Sequence, residues 1–200
     1  GPQHLSSARF TQSCGQSFNV TPTTSYPWDS NSAAVAEDFS GRPTFDFALL
    51  AEKFYRNHED AYDFLVLFDA ASRGRYSTDA SIYQVEPIGV VVPRDETDLA
   101  AALDVARDAG AAILPRGAGT SQCGQTVGQA LVVDMSKHLR EVVGFDKDRA
   151  EVTVQPGIVL DHLNAWLKPH GLWYPVDVST SAQCTLGGMA GNNSCGSRSI

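Results

Sequence analysis

Hydrophobic residues follow their most regular pattern from Pro87 onward. An apolar, β-branched run over 88–92 predicts a buried strand. A helix should follow, beginning at an Asp95 N-cap and ending at Gly110. Its apolar positions at helical spacing predict one buried face, made of Leu99, Ala102, Leu103 and Ala106. A second strand over 111–114 would complete a strand–helix–strand unit, which implies parallel pairing.

Further strands and a helix are predicted downstream of this unit. An apolar run over 131–135 predicts a third strand. The segments 142–145 and 150–154 are typical of an antiparallel pair joined by a polar turn. A helix then carries apolar side chains at Val159, Leu163, Trp166 and Leu167 and ends near Pro169 and Gly171. The pattern therefore predicts an α+β fold: a βαβ subdomain followed by the start of a second α/β subdomain.

The first 86 residues follow different patterns. Residues 1–44 are rich in small and polar types, which predicts a flexible or loosely packed N-terminal extension. An arm that wraps its own domain or a partner remains the alternative, because Phe10, Phe18, Tyr26 and Trp28 could anchor it. Residues 45–86 are interpreted as a lead-in, with a helix over about 45–57, a short second element and an irregular stretch over 72–86. The main domain would then span 87–200.

Composition and charge exclude several classes of protein. Apolar residues make up 42% of the chain and charged residues 19%, which excludes wholesale disorder. No apolar run reaches the length of about 18 residues that a membrane-spanning helix needs. The net charge is −8 and no basic stripe is visible, so a nucleic-acid partner is not expected. Four cysteines without CxxC spacing indicate reduced thiols. We expect a cytoplasmic protein and leave peripheral membrane contact open.

The glycines are concentrated in two windows. Eight of the seventeen lie in Pro115–Gly128 (PRGAGTSQCGQTVG) or in Leu186–Gly196 (LGGMAGNNSCG). Glycine permits positive φ and close approach of the backbone, and successive N–H groups can then form an anion-binding nest. Tight surface turns without a ligand are the alternative. Arg116, at the start of the first window, could donate to a phosphate or could pair with a carboxylate and so lock the loop.

Known phosphate-binding motifs do not fit these windows. No Lys follows either loop, as a Walker A motif requires, and the series Gly117, Gly119, Gly124 fails the GxGxxG spacing at its third glycine. An ordinary dinucleotide-binding Rossmann domain is therefore a weak interpretation, despite the strand–helix–strand unit.

From about Tyr76 to Ile200, the chain resembles the FAD-binding domain of the vanillyl-alcohol oxidase/PCMH-type flavoproteins. The likeness is closest to the FAD-linked D-2-hydroxy-acid dehydrogenases (D-lactate, glycolate and D-2-hydroxyglutarate), in particular to long bacterial members that fuse the flavin domain to an iron–sulfur module. The segments that carry it are YSTDASIY (76–83), VPR (92–94), LPRGAGTS (114–121) with GQ (124–125), VDMS (133–136), QPG (155–157), STS (179–181) and CTLGGMAGNNSCG (184–196).

This resemblance implies FAD as the cofactor and a role for each window. The FAD diphosphate would be cradled by Pro115, Arg116, Gly117, Ala118, Gly119, Thr120 and Ser121. Gln125 would fix that loop or approach the flavin. The adenosine or flavin side of the groove would be lined by Pro175, Ser179 and Thr180. The second wall would be formed by Thr185, Gly187, Gly188, Asn192, Asn193, Ser194 and Gly196. Family members with covalent flavin carry a His where Thr120 stands, which implies non-covalent FAD here.

The resemblance also implies that parts of the enzyme lie elsewhere. The flavin domain would be incomplete at its C-terminal end, and the catalytic residues, any divalent metal and any iron–sulfur cluster would belong to chain beyond Ile200. No catalytic residue or metal ligand is therefore assigned within these 200 residues. Arg73 and Arg75 are weak candidates for binding a substrate carboxylate.

The implied reaction is oxidation of a small-molecule D-2-hydroxy acid to the 2-oxo acid, with hydride transfer to flavin N5. The substrate would belong to the lactate, glycolate or 2-hydroxyglutarate class, and the electron acceptor is left open. Two alternatives remain: a non-catalytic FAD-binding fragment, and a flavin oxidase acting on another alcohol.

Overall fold

A computed structural model describes the main chain of residues 3–4, 7–11, 17–20 and 65–197, and the side chains of residues 66–197. The helix predicted over 45–57 lies outside these residues. The strands are β1 (Gln3–His4), β2 (Ser7–Thr11), β3 (Ser17–Val20), β4 (Leu65–Leu67), β5 (Gly89–Val92), β6 (Ile113–Arg116), β7 (Leu131–Asp134), β8 (Val142–Asp146), β9 (Glu151–Val154) and β10 (Leu172–Trp173). The helices are α1 (Ala70–Arg75), α2 (Glu96–Asp108), α3 (Leu160–Leu167) and α4 (Leu186–Gly191).

One four-stranded sheet has the order β4-β5-β7-β6. Strands β5, β7 and β6 are parallel, as the strand–helix–strand pattern predicts, whereas β4 runs antiparallel to β5 at one edge. Strands β5 and β7 are buried along their whole length, because α2 covers one face of the sheet and a second apolar cluster forms around Val90, Val92 and Val132. The register places Arg116, the last residue of β6, opposite Asp134, the last residue of β7. Both side chains therefore lie at the same end of the sheet.

The second sheet has the order β3-β2-β9-β8. Strands β8 and β9 form the predicted antiparallel pair. Strand β2 pairs in parallel with β9 and antiparallel with β3, while β1 pairs in parallel with β10. The main chain of the N-terminal strands thus adds to the second subdomain, which corresponds to the arm alternative. The core of this subdomain lies between the sheet and helices α3 and α4, and its fully buried residues include Leu160, Leu163, Leu167 and Leu186.

Several details differ from the sequence predictions. The second strand of the βαβ unit is Ile113–Arg116 rather than 111–114, because the chain first turns after Gly110 at φ +63°. The stretch predicted to be irregular from residue 72 includes the end of helix α1. The buried face of α2 is rotated relative to the predicted one. Val105 is buried together with Ala102 and Ala106, whereas Leu103 is 37% exposed. Asp95 caps α2 as predicted, accepting a bond from the Asp98 N–H.

Leu163→Ala in α3 and Leu103→Ala in α2 form a matched pair that tests which leucines are buried. Leu163 is fully buried, so its truncation should leave a cavity and lower the free energy of unfolding by about 2–5 kcal/mol. Leu103→Ala should change it by less than about 1 kcal/mol, because the side chain is already partly in water and Ala favours helix. Urea unfolding followed by circular dichroism measures both, and equal losses would contradict the structure.

Candidate functional site

The two glycine windows meet at one place in the fold. The first begins in the last two residues of β6, and the second begins at Leu186, directly after Thr185, the N-cap of α4. A Cβ added to Gly117 would overlap the Thr185 hydroxyl oxygen, so the two segments of the chain lie in direct contact there. Thr185 is buried, and its hydroxyl also accepts a bond from the Gly188 N–H. Only glycine at position 117 allows the first loop to approach the helix this closely.

A hydrogen-bond chain provides a second link between the windows. Gln125 donates from Nε2 to Asn192 Oδ1 at 3.2 Å, and its own Oε1 accepts from the Ser121 hydroxyl. Asn192 in turn donates to the Ser194 hydroxyl at 3.0 Å. Gln125 thus ties the first loop to the second window.

The first loop exposes a run of unused backbone donors. No residue in the described part of the chain accepts a hydrogen bond from the N–H groups of residues 117–121. Gly119 has φ +67°, in the left-handed region that alternates with ordinary backbone in anion-binding nests. Five consecutive unpaired N–H groups at a positive-φ turn match the chemistry of a diphosphate, which carries only acceptor oxygens.

Arg116 forms no ion pair with a carboxylate in the part of the chain that the structure describes, and binds main-chain carbonyls instead. Its Nη1 donates to the carbonyl oxygens of Tyr76 (3.2 Å) and Thr126 (3.1 Å), and its Nη2 donates to that of Thr78 (2.8 Å). The guanidinium carbon lies 5.3 Å from the centre of the Tyr76 ring, within cation–π distance. Arg116 does lock the loop, but it does so through main-chain carbonyls rather than through a carboxylate.

The segment 76–84 supports the first loop, and sequence reasoning assigned it no such role. The Ala80 N–H donates to the Gly119 carbonyl at 3.1 Å. Asp79 accepts from the Thr126 hydroxyl at 2.9 Å and from the Ser81 N–H at 2.8 Å. Burial raises the pKa of the Asp79 carboxyl, but these hydrogen bonds outweigh burial and the net pKa is lowered. The polar string YSTD carried the resemblance, yet no local pattern reveals a partner more than 40 residues away.

A buried carboxylate anchors the same segment. Asp134 is 2% exposed and accepts bonds from the Tyr76 hydroxyl at 2.6 Å and from the Ser136 N–H and hydroxyl at 2.8 and 2.6 Å. Burial, followed by the bond to Asp134, raises the pKa of the Tyr76 phenol far above its ordinary value. Tyr76 therefore stays protonated and connects the end of β7 to the segment on which Arg116 rests.

The second window differs from the first because its own fold uses its donors. The Gly187 N–H bonds to the Pro156 carbonyl at 2.8 Å, and the Ser194 N–H bonds to the Met189 carbonyl at 2.9 Å. Asn193 has φ +48°, and Gly196 lies so close to the Asp177 carbonyl that any side chain would overlap it. This window therefore offers a wall of small residues and side-chain amides rather than a second nest.

The remaining predicted residues lie in the segment between β10 and α4. Pro175 is buried and Ser179 is exposed. The Thr180 carbonyl accepts from the N–H groups of Gln183 and Cys184, which closes a tight turn. No hydrogen bond joins these residues to the first window in the part of the chain that the structure describes.

Other candidate groups have partners within the fold or form no cluster. Arg73 pairs with Glu86 at 3.1 Å, and Arg75 donates to the Ser72 hydroxyl, so both are engaged. Burial raises the pKa of the Cys184 thiol, while Cys123 and Cys195 are exposed. No group of three or more metal-ligating side chains occurs among the described residues. Over the same residues, no helix combines the length and the apolar character that a membrane span requires.

Comparison with known proteins identifies the class. Residues 87–200 match the family described as the FAD binding domain. The match covers more than half of the chain, so the chain belongs to this family of FAD-binding domains. The resemblance inferred from the motifs and the predicted fold class are both confirmed.

The relatives come from one group of enzymes. The chain is 40% identical over 133 residues to the D-2-hydroxyglutarate dehydrogenase of Pantoea ananatis, covering 65% of this chain and 13% of that protein. It is 36% identical over 138 residues to the glycolate oxidase subunit GlcD of Bacillus subtilis, covering 66% of this chain and 29% of that protein. This chain therefore spans only a small part of the length of these relatives.

Solved structures share the fold at low sequence identity. The fold is similar to an alkyldihydroxyacetonephosphate synthase, with a TM-score of 0.64 at 17% identity, covering 78% of this chain and 33% of that one. It is also similar to the 4-ethylphenol oxidase of Gulosibacter chungangensis, with a TM-score of 0.53 at 16% identity, covering 66% and 26%. These similarities support the fold only.

Tyr76→Phe tests the anchor of the 76–84 segment. The change removes one of the donors to the buried Asp134 carboxylate, and it should lower the free energy of unfolding by roughly 1.5–3 kcal/mol. Tyr83→Phe is the matched control: Tyr83 is 54% exposed, and it should change stability by less than about 0.5 kcal/mol. Urea unfolding compares the two variants, and an unchanged midpoint for Tyr76→Phe would show that the Asp134 bond contributes nothing.

Proposed function

We propose that this protein is an FAD-dependent oxidoreductase that oxidises a D-2-hydroxy acid of the lactate, glycolate or 2-hydroxyglutarate class to the 2-oxo acid. The observation that carries the proposal is a run of five backbone N–H groups over 117–121 that have no acceptor among the described residues, in a loop that contacts a second window of small residues, in a family of FAD-binding domains. The relatives, which include a D-2-hydroxyglutarate dehydrogenase and a glycolate oxidase subunit, support the substrate class.

The residues of this chain would hold the cofactor. The N–H groups of the first loop would donate to the diphosphate, and Arg116 and Gln125 would keep the loop in shape. Thr185, Gly187 and Gly188 would form the opposite wall together with Asn192, Asn193, Ser194 and Gly196, while Pro175, Ser179 and Thr180 would extend the groove. When bound, FAD supplies the hydride acceptor at N5. The base that takes the hydroxyl proton and the group that binds the substrate carboxylate are not assigned to residues of this chain.

We also propose that the flavin is held without a covalent bond. Thr120 occupies the position at which family members with covalently bound flavin carry a His. A threonine side chain has no imidazole nitrogen that could form the bond to the flavin. Acid precipitation of the protein should therefore release all of its flavin into the supernatant.

Gly119→Val tests the assignment of the loop. The new Cβ would lie 2.6 Å from Arg116 Nη2, and φ +67° would be strained, so the loop should distort and retained flavin should be lost. Gly110→Val is the matched control, with φ +63° and no atom within 4 Å. Both variants should lose comparable stability from backbone strain, whereas only Gly119→Val should lose flavin absorbance.

Thr120→Ala is a second control for the loss of flavin. It should retain its flavin, because Thr120 is assigned no covalent role and its backbone N–H is unchanged. A fully flavin-loaded Gly119→Val protein would contradict the assignment of the loop.

The substrate class is tested on the full-length protein with an artificial electron acceptor. We expect reduction of the acceptor with at least one of D-lactate, glycolate and D-2-hydroxyglutarate, and at least tenfold lower kcat/KM with the L-enantiomer of a chiral substrate. A protein that binds FAD but responds to none of these acids would exclude the substrate class while leaving the cofactor assignment intact. A response only to other alcohols would favour the alternative oxidase reaction.

Further parts of the proposal concern regions outside these 200 residues. An iron–sulfur cluster and a divalent metal are proposed only for such regions, and metal analysis of the full-length protein tests both. A cytoplasmic location, with or without peripheral membrane contact, is tested by cell fractionation.

A further inference from the structure

Two neighbouring apolar side chains project into solvent beside the first loop. Ile82 is 94% exposed and Tyr83 is 54% exposed. The other large hydrophobic side chains that are exposed among the described residues lie singly on α2, β8 and α3: Leu103, Val143 and Trp166. Single exposed hydrophobic residues are normal on a protein surface, whereas an adjacent pair beside a candidate site is typical of a contact surface.

The turn that carries this pair is held against the first loop at two points. The Ala80 N–H donates to the Gly119 carbonyl at 3.1 Å. A Cβ added to Gly124 would lie 2.6 Å from Cδ2 of Tyr83, so the tyrosine ring packs directly on the backbone of the loop. The structure therefore presents Ile82 to solvent from a fixed position at the rim of the loop.

Polar residues surround the pair. Thr78 and Gln84 are both exposed, and the antiparallel bridge between them closes the turn. An apolar centre inside a polar rim is the usual composition of a surface that packs against another part of a protein.

The small size of this surface indicates what covers it. Two side chains of this size offer no more than about 500 Å², whereas a stable complex between separate proteins buries about 800 Å² on each partner. A segment of the same chain needs a much smaller surface, because covalent attachment keeps it at a high effective concentration. An occupant from the same full-length chain is therefore favoured over a separate protein.

The proposed reaction gives another part of the full-length chain a reason to approach this place. The match to the D-2-hydroxyglutarate dehydrogenase of Pantoea ananatis covers only 13% of that protein. The base that takes the hydroxyl proton and the group that binds the substrate carboxylate are not assigned to these 200 residues, so another part of the chain has to bring them to the cofactor. That part would meet the rim of the first loop, where Ile82 and Tyr83 lie.

We propose that Ile82 and Tyr83 form a docking surface for the part of the full-length chain that carries the catalytic groups. That part packs apolar side chains on the pair and is thereby held over the first loop. The inference rests on the proposed function, because it takes the first loop to belong to the active site.

Thiol alkylation of the full-length protein tests whether the surface is covered. Ile82→Cys and Leu103→Cys are treated with N-ethylmaleimide, with FAD bound and after its removal, and mass spectrometry of the peptides gives the rate at each position. The native side chains are 94% and 37% exposed, so without an occupant position 82 should react faster. We expect the opposite order, with reaction at position 82 slower by about tenfold or more in both states, and equal rates in urea.

Photo-crosslinking identifies the occupant. The photoreactive amino acid p-benzoylphenylalanine is placed at position 82 of the full-length protein, and mass spectrometry identifies the cross-linked peptide after irradiation. We expect an intramolecular cross-link to a peptide outside residues 1–200. A cross-link to the first 64 residues, to the flavin or to a second copy would overturn the proposal. Faster alkylation at position 82 than at 103, or protection that requires FAD, would overturn it as well.

Ile82→Asp tests the function of the contact. A carboxylate in an apolar interface is desolvated without a partner, so kcat/KM with the preferred D-2-hydroxy acid should fall by about tenfold or more while FAD is retained. Ile82→Leu keeps the apolar volume and should stay within about twofold of the wild type. Flavin absorbance verifies that both variants fold.

Unchanged kcat/KM in Ile82→Asp would contradict the proposal, and so would selective loss of its flavin, which would indicate a contact with the cofactor. If the wild type oxidises none of the tested acids, the proposed function fails, and alkylation and cross-linking still decide whether the surface is covered. The same two measurements decide if Ile82→Asp does not fold.

Discussion

Contact between Gly117 and Thr185 is the constraint on which the candidate site depends. It joins the loop after β6 to the first residue of α4, two parts of the chain almost 70 residues apart, without space for a single methyl group. Because Thr185 is buried and caps its helix, the second window has a fixed position against which the first loop can rest. The bond between Gln125 and Asn192 adds a second tie across the same gap. Together these ties hold two otherwise irregular segments face to face.

The support of the loop is polar and non-local. Arg116 and Asp134 end neighbouring parallel strands, yet they do not pair with each other; both instead bind the 76–84 segment, Arg116 through carbonyls and Asp134 through the Tyr76 hydroxyl. Asp79 then connects that segment to Thr126, at the far end of the loop. This network binds the polar groups on the inner side of the loop and leaves the N–H groups of residues 117–121 without an acceptor among the described residues.

The two windows differ in the backbone hydrogen-bond donors that they leave free for a ligand. The first window offers backbone donors beside Arg116, whereas most donors of the second are used by its own helix and turns. An extended dinucleotide suits such a groove, because its diphosphate needs donors on one side while its rings and sugar need close walls of small residues on the other. Membership of the FAD-binding domain family agrees with this reading of the geometry.

The sequence by itself determined the order of the elements from β5 to α3, the Asp95 cap, the turn after Gly110 and the two glycine windows, because each depends on local hydrophobic period or on the conformational freedom of glycine. Its assignment of Leu103 to the core was wrong, since helical spacing alone defines a stripe but not which edge of it meets the sheet. Only the tertiary structure decided that Arg116 binds carbonyls, that Asp79 and Tyr76 support the loop, and that the donors of the second window are already used. These outcomes depend on distances between segments far apart in the chain, and no pattern of neighbouring residues encodes such distances.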